Sequence, residues 1–154
     1  MNYAGIVFTA IALLLLTSAW SVYWWTRKKR IRSLESLAIK YKLESMDGEL
    51  FDFPATLLDE QLRLRNPYNA FGGHSGDDFL MVFDAEIPTF RKSRPKRTVV
   101  ARRYGGAVPP RNRVPRDMIL FEEGKWRVMT LRPSSFTSGI MFPKEIERAW
   151  ALLA

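Results

Sequence analysis

Residues 4–25 read AGIVFTAIALLLLTSAWSVYWW, a run of 22 residues without a charge. As a helix rising about 1.5 Å per residue it would cover roughly 33 Å, enough to cross the hydrocarbon core of a bilayer. A soluble domain has no use for such a stretch at its surface. The run therefore predicts a transmembrane anchor over residues 1–26. Trp20, Tyr23, Trp24 and Trp25 gather at its C-terminal end, where amphipathic rings favour the headgroup level.

Residues 27–32 follow as RKKRIR, five basic residues in six. The flank Met1-Asn2-Tyr3 carries no Lys or Arg. By the positive-inside rule the expected orientation is N-terminus outside and residues 27 onward in the cytoplasm, which places the chain in the inner (cytoplasmic) membrane. The rival reading is a cleaved signal peptide, with Thr17-Ser18-Ala19 as the small-residue site. Against it, the start lacks a basic n-region, and the apolar run continues past that site into the aromatic belt.

No Pro or Gly occurs between Gly5 and Gly48. Ile31, Leu34, Leu37, Ala38 and Tyr41 keep the i, i+3, i+4 spacing of one helical face. The reading is a basic juxtamembrane stalk helix over residues 27–43, ending near Lys42, with an apolar stripe that needs a cover.

Residues 44–154 are read as a cytoplasmic α+β domain. The chain has 154 residues and no Cys, which excludes disulfides, zinc-thiolate sites and a thiol nucleophile. About 110 residues suffice to bury one core. Segments 79–87 and 97–104 alternate as strands, joined by the polar loop 88–96. In 118–132, two β-rich runs flank Gly124-Lys125, the signal of a two-residue type II′ hairpin. A short helix is expected near 55–63, after Pro54. Pro143 opens a last helix with Ile146, Ala149, Trp150 and Leu153 on its apolar face. The expected fold is an antiparallel sheet of about four or five strands closed by that helix. Trp126 and Trp150 fall on its buried faces.

The layout resembles uncharacterised bacterial single-pass membrane-anchored proteins with a cytoplasmic α+β domain. A basic flank follows the hydrophobic helix, then Leu37-Ala38 within LAIKYKLE, strands around Phe83-Asp84, a strand-rich end and a closing helix. The resemblance implies no activity.

Residues 71–78, FGGHSGDD, collect His74, Ser75, Asp77 and Asp78. A catalytic triad must converge in space, and residues this close on one turn seldom do, so a turn entering the next strand is the better reading. The stretch lacks the Gly-Lys-Ser/Thr end of a phosphate loop, and one His with two carboxylates is not a closed zinc site. Glu122-Glu123 and the pair Asp84 and Glu86 are expected to be solvated. No catalytic residue, metal ligand or cofactor is assigned.

The candidate docking residues are basic: Arg27, Lys28, Lys29, Arg30 and Arg32 beside the anchor, and Arg91, Lys92, Arg94, Lys96 and Arg97 in the domain. The second group opens a segment, 91–116, with ten bases and no acid. Anionic lipid headgroups, an acidic protein face and a solvated loop all fit it. Nucleic acid fits poorly, because few aromatics interleave as stacking platforms. The expected function is a non-catalytic accessory or assembly subunit of a larger membrane complex, as photosynthetic and respiratory complexes contain, with integral membrane proteins as partners. Free-standing attachment to anionic lipid and an unrecognised enzyme are the alternatives.

Overall fold

The computed structural model describes residues 3–46, 50, 52–88, 95–132 and 139–154. The chain divides into two compact units, Met1–Ser33 and Leu34–Ala154. The first is helical throughout its described length. Helix α1 spans Tyr3–Tyr41, so its last two turns belong to the second unit, and the expected stalk 27–43 is shared between the two.

Those last turns explain the apolar stripe. Leu34, Leu37 and Ala38 are buried, and Tyr41 packs against the same cluster. Burying each Leu contributes roughly 1.5–3 kcal/mol. The helix stops through a C-cap made without glycine. Lys42 adopts φ 55°. Its N–H donates to Ile39 O at 3.3 Å, and Leu43 N–H donates to Ala38 O at 2.8 Å. This paired arrangement is a Schellman motif, with the Leu43 side chain meeting the turn it caps.

The second unit is one open, antiparallel, six-stranded sheet in the order β1-β2-β3-β4-β6-β5. The strands are β1 Glu44–Ser45, β2 Arg65–Ser75, β3 Asp78–Glu86, β4 Lys96–Arg103, β5 Met118–Glu123 and β6 Trp126–Leu131. Four lie where the alternation predicts them. The count is six rather than four or five, because β1 and β2 join one side. The sheet also keeps two edges, β1 and β5, so the final helix covers a face and closes nothing.

β2 escapes a reading from sequence because RNPYNAFGGHS is rich in residues that disfavour strands. It is held to β3 with two irregularities of register, between Arg65 and Tyr68 and between Tyr68 and Phe71. Asn66 and Asn69 sit there at φ 50° and 49°, the left-handed region that Asn tolerates best after Gly. β1 pairs only with Phe71 and Gly72 of β2, and the bulges and Pro67 blunt the rest of the strand against pairing with other chains.

Side chains alternate across β3 with period two. Leu80 and Val82 face a core formed with Val100, Met129, the end of α1 and helix α2, Pro143–Leu152. Phe79, Met81, Phe83 and Ala85 face a second core with Val99, Ala101, Trp126 and Val128. That face is covered by Leu57, Leu62 and Leu64, around a π-helical turn at Leu57–Gln61. Helix α2 begins with Pro143 in its first turn, and Glu145 Oε2 accepts from Phe142 N–H at 2.7 Å. At its C-terminal end Tyr104 Oη donates to Leu153 O, and Asn112 Nδ2 donates to Leu152 O at 2.9 Å. These side chains satisfy carbonyls that a helix end leaves without partners. Trp126 and Trp150 are buried, as their faces predict.

Candidate functional site

In α1 every large apolar side chain from Ile6 to Trp25 is exposed. The helix is long and apolar enough to cross a membrane. Its hydroxyls fit that setting. Thr9 donates to Gly5 O, Thr17 to Leu13 O and Leu14 O, Ser18 to Leu15 O, and Thr26 to Tyr23 O, at 2.8 to 3.0 Å. These four hydroxyls are satisfied within the helix, as hydrocarbon demands.

The basic run continues the same helix. Successive residues advance about 100°, so Arg27, Lys28, Lys29 and Arg30 circle the whole axis. The charge forms a collar rather than a stripe. Lys28 Nζ lies 5.2 Å from the Trp24 ring centroid, and Lys29 Nζ lies 5.2 Å from that of Trp25. Both lysines reach back one turn toward the apolar segment, the direction a helical side chain favours. Ring and ammonium meet where an interfacial belt would sit. Trp20 and Tyr23 pack at 6.4 Å between centroids.

The second basic group has a different fate. Arg91, Lys92 and Arg94 lie outside the described residues. Lys96 is exposed, with Nζ 5.6 Å from the Tyr68 ring centroid. Arg97 is buried, only 8% exposed. Farther along, the arginines are drawn to acids from other parts of the fold. Arg102 donates from Nε and Nη2 to Asp78 Oδ2 at 2.8 and 2.5 Å. Arg103 pairs with Asp52 and lies over the Phe79 and Trp126 rings. Arg111 pairs with Glu122, which also holds Arg127 at 2.6 Å. Arg127 donates onward to Pro109 O at 2.5 Å and so pins the loop that follows β4. Burial alone would raise the Glu122 carboxyl, but Arg111 and Arg127 hold it below the usual carboxylate range. Asp78 behaves alike. Burial pushes it up, while Gly105 N–H and the Arg102 guanidinium together bring it below its ordinary value.

These contacts correct the expectation of solvated carboxylates. Glu122 is ion-paired, and Glu123 accepts from Thr56 and Gln61. Asp84 is 1% exposed. It accepts from Thr98 Oγ1 at 2.7 Å and from Asn69 Nδ2 at 3.4 Å. The Asn69 that makes the bulge in β2 thus also serves the buried acid. Glu86, half-buried, accepts from Asn66 at 3.1 Å.

The 71–78 stretch is the end of β2, a turn at Gly76-Asp77 and the start of β3. His74 rests its ring edge against Phe79, 5.2 Å between centroids. His74 and Ser75 are consecutive on a strand and face opposite sides, so they do not converge as a triad requires. Among the described residues no three His, Cys, Asp or Glu gather as metal ligands.

Comparison of the chain with protein-family models, with characterised proteins and with solved structures finds no match.

Proposed function

We propose that the protein is a single-pass, non-catalytic accessory or assembly subunit of a larger membrane complex, of the kind found in photosynthetic or respiratory assemblies. Its N-terminus lies outside, and its α+β domain stands on the cytoplasmic side of a bacterial inner membrane. The observation that carries this reading is the helix surface. From Ile6 to Trp25 the large apolar side chains are all exposed, so the helix must find its contacts in lipid and in other membrane helices. The charge difference between its two flanks supports the orientation. The ion pairs of the domain, such as Arg102–Asp78 and Arg127–Glu122, are internal. That leaves the helix, its collar and the 91–96 segment as docking elements. The bacterial setting and the likeness in layout to other anchored α+β proteins belong to the same proposal.

The test is extraction in a mild detergent, with wild type compared to a chain whose residues 4–22 are replaced by a Leu/Ala helix of equal length. Reproducible co-purifying membrane proteins, lost on replacement, are the expected result. Purification of both chains alone would overturn the reading. Reporters fused after Ala154, one active in the cytoplasm and one outside it, check the orientation.

A second reading, free-standing attachment to anionic lipid, is favoured by the collar. Each Lys or Arg near such a surface is worth about 1 kcal/mol.

A further inference from the structure

At one end of the sheet, two buried polar atoms without hydrogen-bond partners belong to side chains on one face. Arg97 Nε and Thr130 Oγ1 are enclosed, and neither makes a hydrogen bond. None of the ion pairs among the described residues includes Arg97.

The register puts both on one face. Val99 of β4 is paired with Thr130 of β6. Arg97 precedes Val99 by two residues, so it points to the same side and is the diagonal neighbour of Thr130, within reach of a long side chain. Around Arg97 the sheet is built of the smallest residues. Its partner on β3 is Ala85. On the other flank Gly139 forms a parallel bridge with Arg97, and Thr98 N–H donates to Gly139 O at 2.8 Å. A Cβ on Gly139 would meet Arg97 Cα and Cβ at 3.4 Å. The backbone of residue 139 therefore lies close against Arg97.

Burying a guanidinium without a counter-charge is unfavourable. Burial accordingly pulls Arg97 below its ordinary value. A guanidinium whose Nε lacks a partner, and a hydroxyl without one on the same face, are the two kinds of group an oxyanion takes together. The sequence leading into Arg97 is positive: residues 91–97 hold five bases and no acid. A dianion gains more from such a field than a singly charged carboxylate does.

We propose that Arg97 and Thr130 form a binding site for a small soluble phosphate, inorganic phosphate or a phosphate monoester. The guanidinium supplies the charge and the fork, and the Thr130 hydroxyl donates to a further oxygen. This assignment is independent of what the membrane helix contacts.

The experiment uses the full chain in detergent micelles and inorganic phosphate as the probe. Thermal unfolding is followed against phosphate, with chloride and acetate at equal ionic strength as references. At ten times the dissociation constant the midpoint should rise by about 5 °C. The 31P resonance of phosphate should broaden on adding wild type. Arg97→Met should remove both effects without lowering the midpoint in chloride, because no ion pair among the described residues holds that charge. Thr130→Val should weaken binding several-fold. Arg97→Lys keeps the charge and loses the fork, so it should also bind more weakly, and it serves if Arg97→Met does not fold. Absence of any phosphate effect on wild type would overturn the proposal. So would an equal rise with acetate, or undiminished binding by whichever Arg97 variant folds.

Discussion

Thr98 donates its hydroxyl to the Asp84 carboxylate at 2.7 Å, across the pairing of β3 and β4, and the same hydroxyl accepts from Met141 N–H at 3.0 Å. All three residues are buried. One side chain thus ties the central strands to the segment that leads into α2. Thr98→Val keeps the shape and removes both bonds. Leaving a buried acceptor and a buried N–H short of a partner costs about 1–3 kcal/mol each. We expect Thr98→Val to destabilise the protein by about 2–4 kcal/mol in urea unfolding. A change below about 0.5 kcal/mol, the range of a surface substitution, would show that the network contributes nothing.

The end of α1 is part of the domain core, which fixes where a soluble fragment must begin. A fragment 44–154 lacks Leu34, Leu37, Ala38 and Leu43, all buried. It also loses the Tyr41–Trp150 ring contact at 4.9 Å and the Lys40–Glu147 ion pair at 2.6 Å. Losing the three leucines alone forgoes roughly 5–9 kcal/mol of burial, comparable to the whole stability of a small domain. Fragment 27–154 should melt cooperatively, and fragment 44–154 should show no cooperative transition by calorimetry. Equal melting of the two would refute the role given to the helix end.

Much of this fold is legible in the sequence, and the parts that are not share a cause. The strands at 78–86 and 96–103, the hairpin at Gly124-Lys125 and helix α2 carry their own periodicity or turn signal. Gly124, at φ 57°, has the positive φ expected there. β2 carries the opposite signal, with Pro67, two left-handed Asn and Gly72-Gly73. It is a strand because β3 offers it a ladder, which is tertiary information. Gly73 has the same origin, since a Cβ there would lie 2.8 Å from Lys42 O. The collar is legible because charge beside an apolar run has few other uses. The burial of Arg97 is not, because nothing local separates it from nine other bases between 91 and 116. Ala85, Gly139 and the register of β4 with β6 decide it. The burial of Asp84 is equally long-range, resting on Asn69 and Thr98.

The cap of α1 offers a stabilising substitution. Lys42 holds φ 55°, a conformation costing a residue with a Cβ roughly 1 kcal/mol relative to Gly. Gly also loses more entropy on folding, which offsets part of the gain. Lys42→Gly should stabilise the protein by about 0.5 kcal/mol in chemical denaturation. A clear destabilisation would mean that the Lys42 side chain has a role in the fold that outweighs the backbone strain.

Asp78 ties stability to acid. Its carboxyl is held below the ordinary 3.8 in the folded chain by Gly105 N–H and Arg102, against the effect of burial. A folded-state value below the unfolded one contributes stability above the unfolded value, and that contribution disappears as pH falls through the folded value. Glu122, lowered by Arg111 and Arg127, adds to the same trend. The urea midpoint should therefore drop between about pH 5 and about pH 2. Asp78→Asn should lower the midpoint at neutral pH and flatten this slope, with the Glu122 part remaining. An unchanged slope would remove Asp78 from the explanation.

Trp150 sets two effects against each other. Its ring is buried between α2, Tyr41 and the sheet, yet its indole Nε1 has no hydrogen-bond partner. Trp150→Ala removes the ring and leaves a cavity, at about 3–5 kcal/mol. Trp150→Phe keeps most of the packing and removes the N–H. Relief of a buried donor without a partner is worth about 1–3 kcal/mol, against a smaller cavity costing a similar amount. We therefore expect Ala to unfold or nearly unfold the protein, and Phe to change stability by less than about 1.5 kcal/mol in either direction. The pair of variants is the measurement, read by calorimetry on the full chain in detergent. A Phe variant as damaged as the Ala variant would mean that the indole N–H is satisfied in solution. An Ala variant melting with wild type would mean that α2 does not pack on this sheet.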